Sequence, residues 1–120
     1  MGRSIDIDDL TVYQRAISIG AKIWAEVVKW QWEDRKMVGH QVVRSADSIA
    51  ANLAEGFGRF HFKENRHFCY YARGSLFETL TWISKARDRA LISAEKCDEL
   101  NQDLKALQHL LNRYIASIGK

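Results

Sequence analysis

Not one proline occurs in the 120 residues of this chain. Proline breaks helix interiors, because its ring removes a backbone donor and clashes with the preceding turn, and it punctuates loops. A chain without it is free to build long, uninterrupted helices joined by short connections. The apolar residues fall into step with that freedom. They recur at steps of three and four, the period of one helix face, in four separate segments.

The first segment is expected to be helical from about Leu10 to Val28. Val12, Ala16, Gly20, Ile23 and Val27 form its stripe, and Tyr13, Ile17, Trp24 and Val28 widen it. Asp8 or Asp9 is placed to cap its start, where a carboxylate meets free N–H groups. Trp30-Gln31-Trp32-Glu33-Asp34 breaks the period and reads as the first connection. The second helix is expected over residues 35–55, with Val38, Val42, Ala46 beside Ser45, Ile49 and Leu53 inward. Gly39 is tolerated inside it, and Gly56-Phe57-Gly58 reads as its stop, since glycine takes the left-handed cap conformation cheaply. The third is expected over 63–90, with Phe68, Ala72, Ser75, Leu76, Thr79, Leu80, Ile83 and Ala86 on its inner face. Ser93 is positioned to cap a fourth helix over 94–118. There Cys97, Leu100, Leu104, Leu107, Leu111, Tyr114 and Ile118 alternate steps of three and four, as in a coiled-coil seam. Four helices of similar length with short connections pack most simply as one all-α domain over residues 1–120, an antiparallel up-and-down four-helix bundle.

The length suffices to bury a core without a disulfide or metal. Cys69 and Cys97 have no paired-ligand spacing and read as small apolar residues in a reducing compartment. The apolar runs are too short to span a membrane. Asp6, Asp8 and Asp9 stand where a signal peptide would be basic, so the expected location is the cytoplasm. Residues 1–4 are either native or a cloning remnant, and position 6 lacks the Ser or Thr that myristoylation of Gly2 requires.

Catalytic and metal-binding patterns are sparse. Glu64-Asn65-Arg66-His67 is a single Glu-x-x-His, whereas a di-iron bundle needs two such motifs and further glutamates. Adding His61 gives steps of three that drift around a helix, so no metal, cofactor or catalytic residue is expected. Gly56-Phe57-Gly58 follows no strand and is no phosphate loop. The charge distribution says more. Residues 35–89 carry ten Lys or Arg against five Asp or Glu, an excess of five in a chain whose net charge is +3. From Phe57 to Tyr71 these cations interleave with Phe57, Phe60, Phe62, Phe68, Tyr70 and Tyr71. Cations that grip phosphate beside rings that stack on bases are the ingredients of single-stranded nucleic-acid binding. The same residue types also fill loops and subunit interfaces. The candidate nucleic-acid residues are Arg44, Arg59, Lys63, Arg66 and Arg73.

Ser48-Ile49-Ala50-Ala51-Asn52-Leu53-Ala54-Glu55-Gly56-Phe57-Gly58-Arg59 resembles the SIPANIAEGFGR signature of four-helix-bundle proteins encoded in 23S ribosomal RNA intervening sequences. Leu10-Thr11-Val12-Tyr13-Gln14-Arg15-Ala16, Gln41 with Arg44, and Tyr70-Tyr71-Ala72-Arg73-Gly74-Ser75-Leu76 with Glu78 extend the likeness over nearly the whole chain. The resemblance implies a bundle that assembles as a ring-shaped homopentamer, and it supplies no activity. A related group, the accessory variability determinants of diversity-generating retroelements, implies nucleic-acid binding and a reverse-transcriptase partner. Ala50 replaces the family's usual proline, so a kink in the second helix is expected to be absent or milder.

Within the signature, Glu55 opposes the dipole at its helix end and calls for a cationic partner, with Arg59, Arg73 and Arg44 as candidates. Gly74 with Ser75 is expected to admit a neighbouring helix. Asn52, Glu55, Gly56, Gly58, Gly74, Ser75 and Glu78 are read as structural or interface residues. Trp30, Trp32, Trp82, Phe60, Phe62 and Phe77 lie off the stripes, and six such rings in water would be unusual for a monomer. Two functions follow: an oligomeric scaffold that binds RNA or DNA, or a protein–protein adaptor.

Overall fold

The computed structural model describes residues 5–120; residues 1–4, Gly2 among them, lie outside the described residues. Four long helices account for about three-quarters of the described residues, and no strand occurs among them. They are α1 (Thr11–Val27), α2 (His40–Phe57), α3 (Phe62–Asp88) and α4 (Ala94–Ser117). Each packs on its neighbour in sequence, and α4 closes the bundle against α1. The pairings run in opposite directions. Ser45 meets Thr79 while Gly56 meets Phe68 across α2 and α3. Gly20 meets Asp47 while Val27 meets Gly39 across α1 and α2. Arg73 reaches Asn112, and Arg66 reaches Ile118 beyond the end of α4. The result is an elongated up-and-down bundle of 52 × 23 × 22 Å.

The stripes supply the core. Val12, Ala16, Ile23, Val27, Val42, Ala46, Ile49, Leu53, Leu76, Ile83, Leu100, Leu104, Leu107 and Leu111 are all buried, so the α4 seam is satisfied within the chain. Ser45 and Thr79 are the buried polar pair. Thr79 Oγ1 lies 3.0 Å from Ser45 Oγ and 2.7 Å from the Ser75 carbonyl, and Ser45 donates to the Val42 carbonyl. Three residues expected to widen the α1 stripe, Ile17, Trp24 and Val28, are exposed instead, and Ile19 is buried in their place. One α1 face cannot serve both α2 and α4 and still bury a third row. On α3, Cys69 is buried while Phe68 stays half-exposed. Burial pushes the Cys69 thiol up to about 11, so it is a protonated, inert packing group at neutral pH.

Helix ends depart from expectation in instructive ways. Ser93 caps α4, accepting from Lys96 N at 3.0 Å. Asp8 and Asp9 do not cap α1. A 3-10 turn over Ile7–Asp9 comes first and puts Leu10 at the cap position, and the Asp9 carboxylate turns back to accept from Asp6 N at 3.1 Å. The first connection is shorter than the sequence suggests. Trp32–Asp34 is already helical and runs through a π-helical turn, Arg35–Gly39, into α2. The distortion of this arm sits there; Ala50 lies in unbroken helix. Gly39 is required at that turn, since a Cβ would stand 2.6 Å from Val27 Cγ1. Gly56-Phe57-Gly58 is not a left-handed stop: α2 runs through Phe57, and its cap, Gly58, is right-handed at φ −78°.

The left-handed cap occurs at an alanine. Ala90 has φ +59°, Ala90 N donates to the Arg87 carbonyl and Leu91 N to the Ala86 carbonyl, the two bonds of a Schellman ending to α3. An L side chain pays steric strain in that conformation and glycine does not. Ala90→Gly is therefore expected to stabilise the protein by about 0.5–1 kcal/mol, read as a higher urea midpoint at unchanged slope.

Candidate nucleic-acid interface

The α2–α3 connection, residues 58–61, forms the tip of the central hairpin at one end of the bundle. Phe60 is 92% exposed and Phe62 is 62% exposed there. The Phe60 ring meets His61 edge-on at 5.0 Å, with His61 extended at the cap position of α3. The loop is too short to fold back over the core, so its rings point outward. Lys63, on the first turn of α3, has no partner among the described residues. The neighbouring cations are engaged. Arg59 bonds Glu55 at 2.7 Å, approaches Glu64 at 3.6 Å and lies over the Phe68 ring at 4.9 Å. Arg66 donates to the Ile118 carbonyl at 3.2 Å, tying α3 to the C-terminal turn.

The five cations singled out by sequence therefore do not form one patch. Arg59, Lys63 and Arg66 share the tip. Arg73 lies further along α3, donating to Asn112 Oδ1 at 3.0 Å and stacking over Tyr70 at 5.2 Å. Arg44 is towards the far end of α2, bonded to Glu78 at 3.2 Å and to Gln41 at 3.3 Å. Helical spacing spreads them along about 25 Å of rod, at 1.5 Å per residue.

The signature residues serve the fold and its surface. The Glu55 partner is Arg59, one helical turn away. Asn52 donates to the Ser48 carbonyl of its own helix. Glu78 accepts from both Arg44 and the Trp82 indole, and that ring is half-buried rather than on an open face; Trp30 is likewise half-buried. Ser75 supplies the carbonyl that accepts from Thr79. A Cβ on Gly56 would meet Asn65 Oδ1 at 2.7 Å, Phe68 Cβ at 2.9 Å and the Asn65 carbonyl at 3.0 Å, so Gly56 brings α2 and α3 together. No other helix of this chain approaches Gly74: outside its own helix, nothing among the described residues lies within 4 Å of its Cβ position. A glycine inside a helix costs about 1 kcal/mol relative to alanine, and packing within this chain does not offset that cost.

An open cavity of about 720 Å³ is one the sequence did not point to. It lies at the opposite end of the bundle from the tip, between α1 and the start of α2, and is lined by Trp24, Val28, Trp32, Lys36, His40 and Val43 among others. Lys36 Nζ stands 5.1 Å over the Trp32 ring. The signal was present: a helix begun at Trp32 rather than Arg35 puts Trp32, Lys36 and Val43 on one face. A shallower groove of about 250 Å³ continues along the same seam between Tyr13 and Ile17 of α1 and Asp47, Ala50, Ala51 and Ala54 of α2.

No group of three His, Cys, Asp or Glu converges among the described residues in a way that could hold a metal. Lys22 is raised by its 2.8 Å hydrogen bond to Asp103, which ties α1 to α4. Burial raises Asp47, and it also raises Tyr114, which is near Asn65 and Cys69. Cys69 and Tyr114 are thus two protonated acids side by side, with neither base nor nucleophile at neutral pH. No described helix is long and apolar enough to cross a membrane.

The model of the 23S rRNA-intervening sequence protein family matches residues 8–113. A crystal structure of a protein of unknown function from the S23 ribosomal protein family of Bacteroides thetaiotaomicron matches with a TM-score of 0.78 at 20% sequence identity. The match covers 88% of this chain and 98% of that one. At that identity the likeness speaks for the fold alone. No curated protein matches the chain.

Proposed function

The chain belongs to the 23S rRNA-intervening sequence protein family, and from that premise we propose that it is a non-enzymatic, homo-oligomeric scaffold of the cytoplasm that binds single-stranded RNA or DNA at the hairpin tip. The observation that carries the reading is the tip itself: Phe60 at 92% and Phe62 at 62% exposure beside Lys63, which has no partner among the described residues. An aromatic ring held so far into water by a short loop forfeits its burial energy, which a stacked base restores. In a ring of subunits the tips fall on one face and repeat the contact around it, so weak single sites add by avidity. The resemblance sets the ring at five.

Arg59 and Arg66 act here as braces that hold the tip, because their guanidinium groups are committed to Glu55, Glu64 and the Ile118 carbonyl. The test is therefore Phe60→Ala with Phe62→Ala and Lys63→Glu, measured by fluorescence anisotropy on a labelled single-stranded oligonucleotide at two salt concentrations. Stacking contributes roughly 1–3 kcal/mol per base, so the triple variant should lose about a hundredfold or more in affinity, with an unchanged helical spectrum. A lone Lys63→Glu should reduce the salt slope by about one. Unchanged binding by the triple variant, or none by the parent at low salt, removes the nucleic-acid reading. The second reading is a protein–protein adaptor, for example a reverse-transcriptase partner as in the retroelement proteins. It uses the same exposed rings and is favoured if binding to a protein survives high salt.

A further inference from the structure

The Trp24–Trp32 cavity has an aromatic wall, an apolar floor and a basic rim. Trp24 and Val28 stand one turn apart on α1, and Trp32, Lys36 and Val43 follow one another along the helical arm into α2. The two indoles are 58% and 64% exposed, although the buried Val27 and Gly39 lie directly behind them. Arg35, Lys36, His40 and Arg44 also line the cavity, and no carboxylate of the described residues does. Arg44 is taken up by Glu78. Arg35 and Lys36 have no carboxylate partner among the described residues, and Lys36 Nζ stands 5.1 Å over the Trp32 ring. The acids nearest in sequence lie outside the lining: Glu26 bonds Lys29, and Glu33 and Asp34 share the turn with Arg35 but do not face the cavity. Asp47, with Oδ1 2.8 Å from the Cβ position of Gly20, separates the cavity from the shallower groove along the same seam.

From this we infer that the cavity binds a small planar aromatic anion, with its ring against Trp24 and Trp32 and its charged group at Arg35 and Lys36. Three features select that class. The first is charge. Indole faces attract cations as well as rings, but Lys36 already stands over Trp32, and a rim without carboxylates repels a further positive charge. An anion instead meets two cations that nothing in the chain neutralises. The second is shape. A flat ring recovers the burial that two exposed indoles forgo, and Lys36 beside Trp32 lets one molecule reach the wall and the rim together. The third is size. About 720 Å³ falls within the range of small-ligand pockets, roughly 300–1,000 Å³. The α1 side offers a single turn, Trp24–Val28, and Asp47 ends the space beyond it, so a docked helix finds no track. The site lies at the far end of a 52 Å bundle from the tip and stands whether or not the tip binds nucleic acid.

The test compares two fluorescent probes with the same rings: anilinonaphthalene sulfonate, an anion, and phenylnaphthylamine, which lacks the sulfonate. Each is titrated with the full chain. The parent should bind the sulfonate at one saturable site per chain. Arg35→Gln with Lys36→Gln should weaken the sulfonate by about tenfold or more, the worth of a charge-assisted hydrogen bond, and leave the amine within about twofold. Trp24→Ala with Trp32→Ala should weaken both probes by about tenfold or more. All four positions are exposed, so each variant should keep the parent's helical spectrum. The tip variant, Phe60→Ala with Phe62→Ala and Lys63→Glu, should bind both probes as the parent does, which separates this site from the nucleic-acid reading. If the glutamine variant weakens the sulfonate no more than the amine, the rim does not select an anion and the inference is overturned. Sulfonate binding that survives loss of both tryptophans, or is lost in the tip variant, places the probe elsewhere and overturns it too. So does a parent without saturable binding.

Discussion

Leu104→Ala should cost about 3–5 kcal/mol, the largest loss expected from any single truncation in this chain. Leu104 is 0% exposed at the middle of the α4 seam, with Leu100, Leu107 and Leu111 around it equally enclosed. Four helices converge on that layer, and none can move inward without separating from another, so the cavity stays largely open. The lost transfer energy and the cavity term then add. For a domain of this size the loss corresponds to a fall in melting temperature on the order of 10 °C or more. Chemical denaturation with circular dichroism measures it directly. A loss below 1 kcal/mol would mean that the core collapses around the gap and that the seam is looser than its burial indicates.

Gly56→Ala and Gly74→Ala should have opposite signs. In the structure both glycines lie inside helices, Gly56 in α2 and Gly74 in α3. A methyl at Gly56 would lie 2.9 Å from Phe68 Cβ and 3.0 Å from the Asn65 carbonyl, and neither is the end of a flexible side chain. α2 and α3 must separate there, and the overpacking should outweigh the gain in helix propensity by about 1–3 kcal/mol. At Gly74 the methyl meets nothing within 4 Å, so the folded chain should gain up to about 1 kcal/mol. Measuring both at one fixed protein concentration lets any subunit association enter the two comparisons alike. Equal signs would show that α2 and α3 are not held as close as the structure places them.

Periodicity alone determined a great deal about this protein. Steps of three and four fix which residues lie on one helix face, and a chain without proline leaves few places to interrupt them. The four helices, the Ser93 cap and the inward stripes were legible for that local reason, whereas Glu55 called for a cation without separating Arg59 from Arg44 and Arg73. What periodicity cannot carry is distance between elements. It did not show that Gly56 is pressed against α3 while Gly74 has no contact from another helix among the described residues. It read Trp32–Asp34 as loop because the π-helical turn at Arg35–Gly39 shifts the phase of the stripe, and with that it lost the Trp24–Trp32 cavity. It grouped Arg44 and Arg73 with the tip cations because they are near in sequence composition, although helical rise separates them along the rod. The sequence decides what each helix offers on each face. Only the packed bundle decides which of those offers are taken up inside the chain and which are left for another molecule, because that depends on close approach between residues far apart in sequence.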